Sequence, residues 1–301
     1  MKTDKKLKAV CYGEVLWDVF ANEKKIGGAP LNVALRMQSL GCDVAMISCV
    51  GNDEDGQAIV DYVNAQGLDT GSIIKAEGYP TGLVQVFVND RGSASYEISY
   101  PSAWDKIVLN NYARNLVADA GVLIYGSLVT RDAVSRQALD ELLKNNIYKV
   151  FDVNLRKPHY TIETLEELML AADFVKFNDE ELLEIAEALG SPYKLLEDNM
   201  AFIASKVKIQ SMCVTKGKHG ALLLWQGDLY QNGGYPVKVA DTVGAGDSFL
   251  ATLITCLLTG KDPQKAIDTA CAVGALVAGE AGANPYISEE QIEAIMLNVQ
   301  Q

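Results

Sequence analysis

Short runs of apolar residues alternate with longer amphipathic segments along most of this chain, and this alternation restricts its possible folds more than any other feature. The first runs are KAVCYGEV and DVAMISCVG, with a helical pattern over residues 30–40 between them. Later runs are GVLIYGS, KVFDVN, DFVKFN and SMCVTKG. Strands with nearly continuous apolar character belong in a parallel sheet that is covered on both faces. The pattern predicts an α/β/α fold with ligands bound past the carboxyl ends of the strands.

One region interrupts the alternation. Residues 80–100 hold two strand-like runs around the turn NDRG, which predicts a β-hairpin. Together with the irregular segment 14–28, the hairpin would form a small β appendage on a single α/β domain that spans residues 1–301. We expect the appendage to be a lid, since closure excludes water from a reaction. A decorative hairpin or a dimer contact would fit the same residues.

The bulk composition narrows the functional classes. A net charge of −13 and a pI near 4.7 argue against partners that are nucleic acids or anionic membrane surfaces. No CxxC pair occurs among the six cysteines, and with two histidines a zinc site is not expected. The sequence carries no GxxxxGK[ST] motif, and no GxGxxG motif opens a helix after an early strand. Without an apolar leader or a membrane-length apolar run, we expect the protein in the cytoplasm.

The segment DTVGAGDSF at 241–249 is the most informative for chemistry. Gly244 and Gly246 bracket a small residue, and an apolar run that predicts a buried helix follows Asp247. The amino end of a helix attracts anions, so a carboxylate there is unusual. It makes sense if the anion is a phosphoryl group in transfer and Asp247 accepts the proton of the attacking hydroxyl. On this segment alone, a first-turn acid that only stabilises the helix is equally compatible.

The segment GGAPLN suggests a second binding element. Its glycines allow close backbone approach, and Asn32 falls in the first turn of a predicted helix, where its amide can both donate to and accept from hydroxyl groups. Asp18, upstream, could accept hydrogen bonds from a vicinal diol. A glycine turn followed by an ordinary helix start explains the same residues.

Three further segments follow predicted strands. Asn178 and Glu181 are spaced either as a capping box or as holders of the water shell of Mg²⁺. Thr215 and Lys216, in the turn TKGKHG, could lie near nucleotide phosphates, although a plain β-hairpin has the same pattern. Arg156, in DVNLR, could bind a phosphate or a sugar hydroxyl. The alternative there is a strand-end cluster in which Asp152 pairs with a neighbouring Lys or Arg.

Taken together, these segments resemble the PfkB carbohydrate kinase family, also called the ribokinase family. GGAPLNVALRMQSLGCDVAMISCVGNDEDG is similar to its amino-terminal signature, and DTVGAGDSFLATLI to its carboxyl-terminal one. NDEE matches its NxxE motif, and TKGKHGA its nucleotide turn. The resemblance covers nearly the whole chain and implies a ribokinase-like three-layer α/β/α fold with a mostly parallel central sheet and a small β lid.

The resemblance also implies residue roles. Asp247 would be the base, and the N–H groups of Gly244, Ala245 and Gly246 the anion hole. The sugar would be held by Asp18, Gly28, Asn32 and Arg156, and ATP by Asn178, Thr215, Lys216 and Gly217. Asn178 and Glu181 would organise Mg²⁺ through water. Some members bind a monovalent cation such as K⁺ in a loop that Asp241, Val243 and Gly282 match in part. Such sites carry a small hydroxyl residue near position 286, which is Tyr286 here.

Within the family, GGAPLN and DVNLR are most similar to fructokinases, as is YEISYPSAWD. Ribokinases tend to carry lysine where this chain has Ala29. The implied reaction moves the γ-phosphoryl group of ATP to a primary hydroxyl, with fructose 6-phosphate as the product. We expect the helix field to keep Asp247 ionised and only modestly basic. Kinases for 2-keto-3-deoxygluconate, ribose or a nucleoside stay open, as does a non-catalytic sugar-binding regulator. Lid side chains such as Phe87, Tyr96 and Glu97 would select the sugar, and the lid could form a homodimer contact.

Overall fold

A computed structural model describes residues 6–88 and 94–297. That part of the chain contains thirteen strands. In chain order they are β1 (Lys8–Tyr12), β2 (Leu16–Val19), β3 (Lys24–Gly27), β4 (Asp43–Gly51), β5 (Ile73–Ala76), β6 (Gly82–Val88), β7 (Ala94–Ile98), β8 (Val122–Gly126), β9 (Tyr148–Asp152), β10 (Phe174–Asn178), β11 (Met212–Thr215), β12 (Ala221–Trp225) and β13 (Asp228–Asn232).

The α-helices lie between these strands and after the last of them. They are α1 (Ala29–Ser39), α2 (Glu54–Ala65), α3 (Asn111–Asp119), α4 (Ala133–Leu142), α5 (Ile162–Leu170), α6 (Asp179–Ala188), α7 (Leu196–Val207), α8 (Ala245–Leu258), α9 (Pro263–Ala278) and α10 (Glu289–Leu297). Helix α1 begins one residue before the segment in which the sequence pattern predicted it.

Nine strands form one large sheet in the order β13-β12-β11-β10-β9-β8-β1-β4-β5. The seven strands from β11 to β5 in this order are parallel to their neighbours, while β12 and β13 are antiparallel. The mostly parallel sheet predicted from the sequence is therefore confirmed. Since the parallel strands point the same way, their carboxyl ends lie along one edge of the sheet.

The sheet is buried on both faces, which explains why its strands read as continuous apolar runs. In β1, Ala9 and Cys11 pack into a core formed with α1, α8 and α9. Val10 and Tyr12, which point to the opposite face, pack into a second core with helices α3 to α7. The three-layer arrangement follows from this alternation in each central strand.

A separate four-stranded sheet has the order β3-β2-β6-β7. Strands β6 and β7 pair antiparallel, which confirms the predicted hairpin, and the segment 14–28 supplies the second antiparallel pair. A parallel β2–β6 pair joins the two hairpins. The predicted turn NDRG lies outside the described residues, as does the side chain of Tyr96. The predicted function of this small sheet as a lid stays a prediction.

All six cysteines are buried in the structure, and none is in a disulfide. In residues 6–88 and 94–297, none of the helices has the length and apolar character needed to cross a membrane.

Candidate active site

Polar residues lie at or just past the carboxyl ends of four parallel strands of the large sheet, of which β9, β10 and β11 are adjacent. Glu14 follows β1, Asp152 ends β9, Asn178 ends β10 and Thr215 ends β11. The register aligns Asn178 directly with Thr215 on the adjacent strand. These side chains come from segments far apart in sequence, and the parallel topology brings them to one edge of the sheet.

Helix α8 places its amino end at this edge. Its N-cap is Gly244, with φ 76°, and a Cβ atom there would collide with the carbonyl oxygen of Ala283. Glycine is therefore required by both the left-handed backbone and the close approach. The N–H group of Ala245 donates to Thr242 O at 3.3 Å, so it is not fully free. The N–H groups of Gly244 and Gly246 donate to no described acceptor and leave this helix end able to attract an anion.

Asp247 lies in the first turn of α8, and its carboxylate does not cap the helix. Its Oδ2 atom instead accepts a hydrogen bond from Asn32 Nδ2 at 2.8 Å. Burial and the nearby charge of Asp152 raise the pKa of Asp247 to about 6, although Asn32 and the cation of Lys176 oppose that rise. An ionised Asp247 at neutral pH is compatible with this pKa, but the expected low basicity is wrong, because loss of solvent and a neighbouring carboxylate outweigh the helix field.

The segment before α1 brings the predicted sugar-binding residues together. Gly28 has φ 115°, and a Cβ atom there would collide with the carbonyl oxygen of Glu14. A Cβ atom on Gly27 would overlap the carboxylate of Asp18, so this carboxylate lies directly against the glycine pair. Burial raises the pKa of Asp18 to about 6. The two glycines thus let the Asp18 carboxylate and the Glu14 backbone approach the start of α1 closely.

A buried ion pair supports the same region. Lys176 Nζ lies 3.0 Å from Asp152 Oδ1, and both side chains are less than one-tenth exposed. A Cβ atom on Gly246 would lie 3.6 Å from Lys176 Nζ, so the ammonium group is beside the amino end of α8. Burial alone would lower the pKa of Lys176, but the carboxylates of Asp152, Glu181 and Asp247 raise it above its usual value. Lys176 therefore stays charged.

Sequence reasoning did not single out Lys176 or Glu14. A lysine inside the apolar run DFVKFN, and an acid directly after a strand, were the available signals. Glu14 is 3% exposed, and its Oε2 atom has no hydrogen-bond partner among the described residues. Burial raises the pKa of Glu14 to about 7. Both residues place ionisable groups in the site that the sequence motifs do not reveal.

Arg156 is half-buried and makes no ion pair with any described residue. Its Nη1 atom donates only to the carbonyl oxygen of Leu155, at 2.9 Å. The alternative interpretation, in which Asp152 pairs with a neighbouring Lys or Arg, is confirmed by the ion pair between Asp152 and Lys176. The charge of Arg156 lowers the pKa values of Asp18 and Asp247, so its guanidinium group acts on the same site.

Asn178 and Glu181 form the capping box that was one of the two readings of their spacing. Glu181 N donates to Asn178 Oδ1 at 2.7 Å, and Asn178 N donates to Glu181 Oε2 at 2.8 Å. The second carboxylate oxygen, Oε1, accepts from Leu155 N at 2.9 Å, which ties α6 to the segment after β9. Burial raises the pKa of Glu181. The capping box does not use every lone pair, and the Mg²⁺ role stays a prediction.

The turn TKGKHG joins β11 to β12 as an antiparallel hairpin with a short 3-10 turn over Gly217–His219. Thr215 Oγ1 donates to the carbonyl oxygen of Phe177 at 3.3 Å. Lys216 N donates to Gly220 O at 2.7 Å, which closes the turn. The hairpin that was the alternative reading is therefore present, and it lies next to Asn178. Its nucleotide-binding role stays a prediction.

The three residues predicted to hold a monovalent cation are adjacent in space. Asp241 Oδ1 accepts from Val243 N at 3.0 Å, and Asp241 Oδ2 accepts from Gly282 N at 3.3 Å. Tyr286 is 85% exposed, so its hydroxyl group does not contribute to this loop.

This chain is similar in sequence and in structure to known sugar kinases. Residues 2–290 match the pfkB family of carbohydrate kinases. An uncharacterized sugar kinase of Pyrococcus horikoshii is 31% identical over 253 residues, which cover 81% of this chain and 76% of the relative. Its ATP complex superposes with a TM-score of 0.83 at 28% identity, covering 95% of this chain and 99% of that one. The fructokinase of Solanum tuberosum is 28% identical (91% and 86% covered), and the 2-dehydro-3-deoxygluconokinase of Thermoproteus tenax is 24% identical (91% and 87%).

Proposed function

Since this chain belongs to the pfkB family of carbohydrate kinases, we propose that it transfers the γ-phosphoryl group of ATP to a primary hydroxyl of a monosaccharide, with the 6-hydroxyl of fructose as the favoured acceptor. The observation that carries the proposal is the 2.8 Å hydrogen bond between Asn32 and Asp247. It joins an amide suited to binding hydroxyl groups to a carboxylate at the amino end of another helix, 215 residues later. A sugar-binding group and a base thus share one contact.

Asp247 accepts the proton that the sugar hydroxyl loses as its oxygen bonds to phosphorus. With a pKa of about 6, the carboxyl group is about nine-tenths ionised at pH 7 and is a stronger base than an exposed aspartate. General bases work best with a pKa near the working pH, and they contribute roughly 10²–10⁴-fold to the rate. Asn32, which donates to the same carboxylate, holds the hydroxyl beside the base.

The transferred phosphoryl group needs fixed positive charge. The N–H groups of Gly244 and Gly246 supply oriented dipoles, and the buried ammonium group of Lys176 adds a full charge beside them. Loss of one such donor typically costs on the order of 10²–10³ in kcat. Because these groups are held by the backbone and by Asp152, they need little rearrangement during the reaction.

The residues near Asn178 fit a divalent ion that keeps most of its water. Asp152 Oδ2 is a buried acceptor without a hydrogen-bond partner among the described residues, and Glu181 has lone pairs beyond those that accept backbone N–H groups. Such an oxygen-only set suits Mg²⁺ held through water by Asn178 and Glu181. The ion would neutralise charge on the β- and γ-phosphates. Thr215, Lys216 and Gly217 would line the nucleotide site.

Other parts of the proposal depend on the sequence resemblance. Asp241, Val243 and Gly282 would hold K⁺, and replacing KCl with an organic cation chloride would then lower kcat. The small sheet would close over the sugar and contact a second copy, which predicts a dimer by light scattering. We place the reaction in the cytoplasm.

Fructose is favoured by the segments GGAPLN and DVNLR and by the fructokinase relative. A sugar acid, 2-keto-3-deoxygluconate, is the second candidate, because Arg156 makes no ion pair with a described residue and could bind a carboxylate. A relative named 2-dehydro-3-deoxygluconokinase supports this candidate. The two acceptors differ in charge, so the response of kcat/KM to Arg156→Met separates them.

The test is ADP formation from ATP·Mg²⁺ with a panel of acceptors that includes fructose, 2-keto-3-deoxygluconate, ribose and a nucleoside. We expect fructose among the highest kcat/KM values, with a smaller effect of Arg156→Met on fructose than on any active sugar acid. Fructose outside the leading group would overturn the fructose assignment. Sugar binding without ADP formation would overturn the kinase proposal and favour a regulatory protein.

A further inference from the structure

Asn284, in the loop between α9 and α10, extends the contact between Asn32 and Asp247. Asn284 Nδ2 donates to Asn32 Oδ1 at 2.8 Å, while Asn32 Nδ2 donates to Asp247 Oδ2 at 2.8 Å. The result is a chain of two amides that ends on the carboxylate. No motif in the sequence marks Asn284.

The donor and acceptor in each of these two hydrogen bonds follow from the ionised carboxylate of Asp247. An ionised carboxylate can only accept, so Asn32 must turn its NH₂ group toward Asp247 and its oxygen toward Asn284. Asn284 must then offer its own NH₂ group. Its Oδ1 atom is left buried with no hydrogen-bond partner among the described residues, which is a costly arrangement. The side chain nevertheless keeps it, because the opposite orientation would place two oxygens face to face.

The loop that carries Asn284 is attached to both helices of the site. Arg36, on α1 and 4% exposed, donates through Nη2 to Pro285 O at 2.8 Å and through Nε to Ser248 Oγ at 3.1 Å. On the other side of Asn284, the backbone of Ala283 packs directly against Gly244. Asn284 is therefore held in place from two directions, which an incidental surface contact would not be.

We propose that Asn284 is a positioning residue that fixes the amide of Asn32, so that its NH₂ group faces Asp247 and its place in the sugar site is kept. This inference rests on the proposed sugar kinase function. Asn284 acts through Asn32 and touches neither the base nor the transferred group. It would hold the base and the sugar-binding amide in one geometry, a condition for fast proton transfer.

The orientation of the Asn32 amide affects the proton affinity of Asp247. Several charged groups surround Asp247 from the neighbouring elements: Glu14 after β1, Asp152 on β9, Arg156 after β9 and Lys176 on β10. The hydrogen bond from Asn32 favours the ionised form. If Asn32 turns away, Asp247 loses this donor and its pKa rises. A base that must be ionised then becomes active only at higher pH.

The test uses Asn284→Asp in the full-length protein, with Asn284→Ala as a second variant. Asn284→Asp keeps the shape and replaces the donor with an acceptor, which draws the NH₂ group of Asn32 away from Asp247. We expect the acid limb of kcat to move up by about one pH unit, as for loss of a hydrogen bond to a charged group. We also expect the KM for the best sugar to rise about tenfold, since a hydrogen-bond partner of the sugar is displaced. Asn284→Ala should shift the acid limb and the KM in the same direction, but by less.

Asn284→Ala removes the amide without adding a charge near Asp247, and so separates loss of positioning from the Coulombic effect of a new carboxylate. The control for a charge added elsewhere in the loop is Tyr286→Asp, at a position that is 85% exposed. This control should leave the pH profile and KM unchanged. A second readout needs no activity: ¹³C NMR titration of the Asp247 carboxyl in the ligand-free protein, assigned with Asp247→Asn. The Asp247 pKa should rise in Asn284→Asp and not in the control.

The outcomes separate the two proposals. A protein that phosphorylates no acceptor refutes the kinase function, while the NMR titration still tests Asn284. An active enzyme in which both Asn284 variants behave as the control, in KM, pH profile and titration, refutes the positioning role alone. If Asn284→Asp does not fold, Asn284→Ala decides by the same readouts.

Discussion

Replacing Asp247 with Asn separates its two possible functions, because they predict opposite signs for stability. The folded-state pKa is about 6 against an ordinary value of 3.8, a difference of about two units. Each unit corresponds to about 1.4 kcal/mol. Because the pKa is raised, folding favours the neutral carboxyl: stability falls as pH rises from about 4 to 6 and stays lower above that.

Asp247→Asn removes this cost while keeping a side-chain oxygen that can accept from Asn32. Allowing for partial solvent access, we expect the free energy of unfolding at pH 7.5 to rise by about 1–3 kcal/mol. The same change removes the base, so kcat should fall by roughly 10²–10⁴ and the sugar KM should change much less. A gain in stability with a loss of rate is typical of a group held in place for catalysis.

The measurements are urea unfolding at pH 7.5 and steady-state kinetics with the best acceptor. Asp262→Asn is the matched control, since Asp262 caps α9 by accepting from Lys265 N at 3.1 Å and asparagine caps helices equally well. It should change neither quantity. A first-turn acid that only stabilises α8 would behave differently: Asp247→Asn would lower stability by about 0.3–1 kcal/mol and leave kcat near wild type. That result would mean that Asp247 serves only to stabilise the helix.

Three further substitutions test other parts of the site. Lys176→Met leaves Asp152 buried without its cation, so the free energy of unfolding should fall by about 3–5 kcal/mol. The acid limb of the kcat–pH profile should also move to higher pH, because a cation near Asp247 is lost. An unchanged acid limb would mean that Lys176 does not act on Asp247. Gly244→Ala should lower stability more than Gly260→Ala, because Gly260 has a similar φ of 82° but nothing within 4 Å of a new Cβ atom. Both substitutions lose about 1–2 kcal/mol from the left-handed backbone. Equal losses of stability would contradict the close contact between Gly244 and Ala283. Arg156→Met should raise the pKa of Asp247, so that the acid limb of the kcat–pH profile moves to higher pH. A shift of the acid limb to lower pH would contradict the placement of Arg156 near Asp247.

Much of the architecture was predictable because it depends on local pattern. Continuous apolar strands such as GVLIYGS indicated a sheet with both faces covered, and the two cores on either side of β1 explain why. The hairpin over residues 80–100 followed from turn chemistry. At the site, the positions of Asn32 and Asp247 at the starts of two helices could be inferred from glycines and from helix-start patterns.

What the sequence could not provide are contacts between distant segments. Lys176 looks like an interruption of an apolar strand until the sheet places it beside Asp152 and the end of α8. Asn284 has no local pattern at all, and its importance comes from a contact with Asn32, 252 residues away. The raised pKa of Asp247 could not be inferred for the same reason, because burial and Asp152, not the local helix, dominate its environment.

Phosphoryl transfer to a primary hydroxyl, with Asp247 as the base, can be tested by ³¹P NMR of the product formed from ATP·Mg²⁺ and fructose. We expect ADP and a phosphomonoester whose phosphorus couples to two methylene protons, as a phosphate on the 6-hydroxyl requires. The same mixture with Asp247→Asn should form this product at least about 10²-fold more slowly. Inorganic phosphate as the sole product would contradict sugar phosphorylation, and an unchanged rate in Asp247→Asn would contradict its role as the base.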